Sequence, residues 1–179
     1  WGISSNTLFL LDKNTMQIKH RYENCPGTIK TIYQDSHLQY WIGSFFGGLL
    51  RFNPTNGSFQ KIPLENKSTV VNSITEWKDK QGFNWVVLGT DGGVIFLDPV
   101  SLKARTYIYQ PGFMEPYSLS GNNISSVFVD RQNILWIGTD NGVSYIRPSQ
   151  QQFEIWRINA SEILSRQGVA DFVYSFDEN

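Results

Sequence analysis

Apolar and polar residues alternate in short runs along this chain, and the runs come in sets. Ile124-Ser125-Ser126-Val127-Phe128-Val129 leads into the polar cluster Asp130-Arg131-Gln132-Asn133, and a second apolar run opens at Leu135-Trp136-Ile137. Period-two patterning interrupted by a tight polar turn predicts two antiparallel strands. Gly138 and Asp140-Asn141-Gly142 tolerate positive φ and supply a second turn. Val143-Ser144-Tyr145-Ile146 then makes a third strand that Pro148 ends. Phe153-Glu154-Ile155-Trp156-Arg157-Ile158 alternates again and fits a fourth, outer strand.

The set recurs in degraded form. Asp35 stands six residues before Trp41-Ile42-Gly43-Ser44, and Asp79 six before Trp85, which leads into Leu88-Gly89-Thr90-Asp91-Gly92-Gly93. Tryptophans at Trp1, Trp41, Trp85 and Trp136 are separated by 40, 44 and 51 residues. Four antiparallel strands repeated every 45 residues or so is the arithmetic of a propeller blade. The expectation is therefore an all-β chain, one β-propeller domain over 1–179. It is built of four-stranded antiparallel blades in about four repeat units, at 1–40, 41–84, 85–135 and 136–179. Trp41, Trp85 and Trp136 are expected buried on second strands, and helix is expected to be near zero. The first unit is the most eroded, with strands read at 1–4, 8–11 and 16–22, Thr7 in place of the turn glycine and Lys13 where the others carry proline. Residues 110–118 read as a loop from their prolines and glycine, 160–167 as loop, and 169–176 as a further inner strand. Four units leave strand edges to cover, so a larger ring is expected.

Composition narrows the function. Aromatic residues make up 15% of the chain, with 15 glycines, which suits many short strands joined by tight turns. A net charge of −1 gives no electrostatic footprint for nucleic acid or an anionic membrane. The apolar runs are too short to cross a bilayer as a helix. Cys25 is the single cysteine and has no intrachain disulfide partner, while His20 and His37 sit in polar contexts typical of solvated residues.

The run Ser118-Leu119-Ser120-Gly121-Asn122-Asn123-Ile124, through Asp130 to Leu135-Trp136-Ile137-Gly138-Thr139-Asp140-Asn141-Gly142-Val143, resembles the two-component regulator propeller repeat. The resemblance is weakest over residues 1–24. It implies a segment of the periplasmic sensor region of a hybrid two-component histidine kinase, usually built from seven-bladed propellers followed by further domains and a membrane span. It also implies an oligosaccharide ligand; no cofactor and no metal are expected, since the sequence holds no metal-spaced histidine pair and no cluster of cysteine and histidine. Implied partners are the remaining blades and downstream domains of the same protein, with a homodimer as a further expectation. Contact with the membrane would come only through other parts of the full-length protein.

The repeat tryptophans could serve as sugar-stacking platforms. A tryptophan at one place in every unit is better explained as packing between blades. Asp35, Asp79 and Asp130 read as turn residues accepting backbone N–H groups. Function is expected where the repeats differ. The loop entering strand one and the turn between strands two and three share one face, and that face carries Phe45, Phe46, Asp91, Phe113, Tyr117, Asp140 and Asn141, beside Asn122 and Asn123. Aromatics beside amides and carboxylates suit a carbohydrate or a peptide, while plain turn chemistry remains the alternative for each residue. No catalytic residues are assigned: the acidic residues are spread one per repeat, and no nucleophile triad or phosphate-binding loop is present. The rival readings are a non-catalytic interaction scaffold and, less favoured, a propeller glycosidase or lyase.

Overall fold

A computed structural model describes residues 1–64, 68–108, 118–149 and 153–156. They form four antiparallel sheets in chain order. The first has three strands, β1 (Gly2–Ser4), β2 (Thr7–Leu11) and β3 (Ile18–Tyr22). The second contains β4 (Thr28–Gln34), β5 (Tyr40–Phe45), β6 (Gly48–Asn53) and β7 (Ser58–Ile62). The third contains β8 (Val71–Lys78), β9 (Asn84–Thr90), β10 (Gly93–Leu97) and β11 (Ala104–Tyr107). The fourth contains β12 (Ile124–Val129), β13 (Leu135–Thr139), β14 (Gly142–Ile146) and β15 (Glu154–Trp156). Every sheet is a meander whose neighbours in space are neighbours in sequence. The expected all-β propeller blades are thus present, and no helix occurs among the described residues. The strands expected over 169–176 and beyond residue 156, and the loop at 160–167, lie outside the described residues.

Central strands are buried on both faces, because each blade is covered by the next. Leu8, Tyr22 and Cys25 of the first sheet and the turn after it pack with Ile29, Ile42, Leu50 and Phe52 of the second. Trp41, Leu49 and Ile62 of the second meet Ile74, Val86, Leu88, Ile95 and Leu97 of the third. Trp77, Val87, Val94 and Phe96 of the third meet Ile124, Val127, Leu135, Ile137 and Ile146 of the fourth. The glycine of the repeat has a specific job here. A Cβ on Gly43 would lie 2.7 Å from the carbonyl oxygen of Val71, and one on Gly89 would lie 2.8 Å from Cγ2 of Ile124. A side chain at either position would push the next inner strand away.

Three details depart from the sequence reading. Trp41 is fully buried, but Trp85 and Trp136 are only half-buried. The strand β8 is not singled out by the pattern, because an extra residue at Asn72 interrupts its alternation. Register, finally, separates Trp85 from the other tryptophans. Tyr33 pairs with Trp41 and Phe128 with Trp136, but at the corresponding place in the third sheet Thr75 pairs with Val87. The pairs Glu76 with Val86 and Trp77 with Trp85 follow beyond it, so this hairpin is longer and carries its Asp79 and Trp85 outward.

Candidate functional site

The sheet registers hold a repeated irregularity. Register shifts interrupt the pairing of strands one and two between Ile29 and Thr31, between Val71 and Ser73, and between Ile124 and Ser126. The residues skipped are Lys30, Asn72 and Ser125. A bulge leaves its extra residue out of the ladder and re-aims the side chain, which is why bulges gather beside binding sites. All three skipped residues line one open cavity of about 510 Å³. Its other walls are Phe45, Val70, Asp91 and Asn123.

The cavity lies on the face that carries the loops entering strand one and the turns between strands two and three. Those turns are built alike. Ser44 Oγ donates to Gly48 O at 3.0 Å, Thr90 Oγ1 to Gly93 O at 2.7 Å, and Thr139 Oγ1 to Gly142 O at 3.0 Å. Phe45, Asp91 and Asp140 each follow that hydroxyl residue and therefore occupy one equivalent position in three blades. Of these, Phe45 and Asp91 reach the cavity. Lys30 Nζ sits 5.8 Å from the centroid of the Phe45 ring, a cation facing an aromatic surface. Asp91 Oδ1 accepts the hydroxyl of Ser68. Asn72 Nδ2 donates to Ile124 O at 2.9 Å, which ties the third inner strand to the fourth. The site thus offers one cation, one carboxylate, two amides, a hydroxyl and an aromatic face.

The remaining sequence candidates fall in different surroundings. Phe46 is 71% exposed, lies at φ 70° and packs on Phe45 with centroids 4.1 Å apart, outside the cavity lining. Asp140 is exposed, its carboxylate lying over Gly121, where a Cβ would come within 2.3 Å of Oδ1. Asn141 donates from Nδ2 to Ser120 O at 2.9 Å, so its side chain fastens the loop ahead of β12. Phe113 and Tyr117 lie outside the described residues. The aspartates act at the opposite end of the blades. Asp35, Asp79 and Asp130 each accept two backbone N–H groups on Oδ1 and a tryptophan indole N–H on Oδ2. Lys30, Asn72 and Ser125 were not candidates from sequence. Their signal is a break in period-two alternation, which one residue cannot announce.

The loop before β12 explains why one unit stands out. Ser120 is fully buried, its N–H donates to Ser144 Oγ at 2.9 Å, and its hydroxyl meets Thr139 Oγ1 at 2.9 Å. Loop, second strand and third strand are therefore locked by one hydroxyl cluster, which constrains all their residue types together. Residues 118–141 match the two component regulator propeller family. They are a regulator-propeller repeat. The extracellular domain of the putative hybrid two component system BT4673 from B. thetaiotaomicron matches with a TM-score of 0.69 at 21% identity, over 96% of this chain and 22% of that one. A second structure of that domain, there called a putative one component system, gives 0.68 at 22% identity with the same coverage of 96% and 22%. Sqt1 of Saccharomyces cerevisiae gives 0.62 at 14% identity, over 98% of this chain and 46% of that one. No curated protein matches this chain. At such identities the likeness is one of fold, and the chain spans 22% of the BT4673 domain's length.

Proposed function

We propose that this chain is a ligand-sensing segment of an extracytoplasmic, periplasmic propeller in a hybrid two-component system. It binds an oligosaccharide at the axial cavity without transforming it, and the signal passes to a histidine kinase elsewhere in the same protein. The observation that carries the reading is the convergence of three bulge residues, Lys30, Asn72 and Ser125, on one cavity. They differ in chemistry although their backbone position is the same, and a position kept by the fold but varied in chemistry is suited to recognition. The regulator-propeller repeat and the fold shared with an extracellular domain of a two component system support the cellular setting.

An oligosaccharide suits the lining better than a purely apolar ligand. Amides, a hydroxyl and charged groups can exchange hydrogen bonds with sugar hydroxyls, and the Phe45 ring offers a flat surface to a pyranose. A glycosidase needs two carboxylates about 5–10 Å apart at the scissile bond. Asp91 is the one carboxylate in this cavity's described lining, which favours binding over hydrolysis. Calorimetric titration of the protein with a panel of plant and host oligosaccharides, followed by chromatography of each mixture, tests this. One sugar should bind and be recovered intact. Recovery of cleaved sugar would replace the sensor with an enzyme, and binding of none would remove the oligosaccharide.

A further inference from the structure

A second cavity lies away from the axis, between the third and fourth blades. It measures about 210 Å³, below the ~300 Å³ at which drug-sized pockets begin, so it has room for a single ring. It exists because the β8–β9 hairpin is longer than its counterparts and places Trp77 and Trp85 beyond the point where the β4–β5 ladder of the second blade ends, at Gln34 and Tyr40. Ile146, Pro148 and Phe153 of the fourth blade face them.

One wall is a chain of edge-to-face aromatics. Ring centroids are 5.8 Å apart from Trp77 to Phe96, 5.3 Å from Phe96 to Tyr107 and 5.2 Å from Tyr107 to Phe153. The polar rim is cationic in its available groups. Asp79 is there, but Oδ1 is taken by the N–H groups of Gln81 and Phe83, and Oδ2 by the Trp85 indole. The indole N–H of Trp77 is likewise committed, to Asn133 O at 3.0 Å. Arg105 lies with Cζ 6.0 Å from the centroid of Trp85, and Lys80 also lines the cavity. Among the described residues neither side chain forms an ion pair or a hydrogen bond. An aromatic wall with two cations that hold no carboxylate is suited to an anion that has a flat apolar body, because a guanidinium pairs with carboxylate through two parallel hydrogen bonds.

We propose that this inter-blade cleft is a second ligand site, and that it takes a single-ring carboxylate held by Arg105 and Lys80 against the Phe96 and Tyr107 wall. A hexuronic acid and an aromatic carboxylic acid share that chemistry. The site goes beyond the axial reading and stands or falls separately from it, since the two share no lining residue. The test is calorimetric titration of the protein with glucuronate and 4-hydroxybenzoate, each against its uncharged counterpart, glucose and phenol. At least one acid should bind at least tenfold more tightly than its neutral partner, and which acid does so identifies the source. Arg105→Ala should weaken that acid tenfold or more and Arg105→Lys less, with an unchanged melting temperature because Arg105 is exposed. Lys30→Ala, at the axial cavity, should leave it unaltered. Equal binding of acids and neutral counterparts, no binding of either acid, or indifference to Arg105→Ala would overturn the proposal.

Discussion

Oδ2 of Asp130 accepts the indole N–H of Trp136 at 2.8 Å, and the same bond joins Asp35 to Trp41 at 2.8 Å and Asp79 to Trp85 at 3.0 Å. The other oxygen of each carboxylate caps the hairpin between them. Asp130 Oδ1, for example, accepts the N–H groups of Gln132 and Ile134, both at 2.9 Å. The six-residue spacing of aspartate and tryptophan is therefore the length at which one carboxylate can close a turn and hold the indole on the following strand.

Removing that carboxylate should cost most where the pair is buried. Asp35 is 3% exposed and Trp41 0%, so Asp35→Ala orphans a buried indole N–H as well as two turn amides. A loss of about 3 kcal/mol is expected. Asp79→Ala should cost nearer ~1 kcal/mol, because Trp85 is half-buried and water can replace the carboxylate. Urea midpoints of the two variants measure the order.

The same hairpin contains a residue that can be improved. Leu38 lies at φ 63° and is 74% exposed, while the equivalent turn positions hold Gly82 and Asn133. Leucine in the left-handed region costs about 1–2 kcal/mol, and asparagine tolerates it through local hydrogen bonding. Leu38→Asn should raise stability by about 1 kcal/mol. A higher melting temperature checks it.

Much of this architecture was legible because strand alternation, turn chemistry and repeat spacing agree with one another. The first sheet, for all its eroded signals at Thr7 and Lys13, forms the three strands expected of it. Tryptophan burial was less legible. Trp85 keeps the Asp79 spacing but sits on a longer hairpin, so the spacing reports the local bond and not the position in the blade. The candidate face was readable from strand direction, and it does contain Phe45 and Asp91 at a cavity. The bulge residues were not, since the single break in alternation at Lys30, Asn72 or Ser125 does not by itself announce a bulge, and the pairing register is what marks them.

Acid should destabilise the fold through specific carboxylates. The bond from Lys19 and the N–H groups of Thr15 and Asn14 hold Asp12 down at about 2. At Asp98 the Ser101 hydroxyl, opposed by burial, gives a lowered value. At Asp79 burial acts upward but is outweighed by the Trp85 indole and the turn amides, again leaving it lowered. A carboxylate lowered by folding stabilises the folded state above its unfolded pKa of ~3.9 and loses that contribution as pH falls through the folded value. The urea midpoint should hold steady from about pH 7 to 5 and drop between about pH 4 and 2, with a shallower drop in Asp79→Asn.

Cys25 should behave in the opposite sense. It is 3% exposed, and burial pushes its thiol up to about 11. The neutral thiol is favoured in the folded state, so stability is full below the unfolded value of ~8.5 and falls as pH rises from there toward about 11. Iodoacetamide at about pH 8 should label native protein far more slowly than urea-unfolded protein. Equal rates would show that the first two blades do not enclose the thiol.

The central claim is that the three bulged residues form a recognition site on a non-catalytic sensor. Titrating isotopically labelled protein with the oligosaccharide that binds most tightly, while following backbone and side-chain amide resonances, tests it directly. The account predicts that shifts centre on Lys30, Asn72 and Ser125 with Phe45 and Asp91, and that Asn72→Ala weakens binding at least tenfold while leaving the melting temperature within a few degrees. Shifts confined to other surfaces, or full affinity in Lys30→Ala and Asn72→Ala alike, would contradict it.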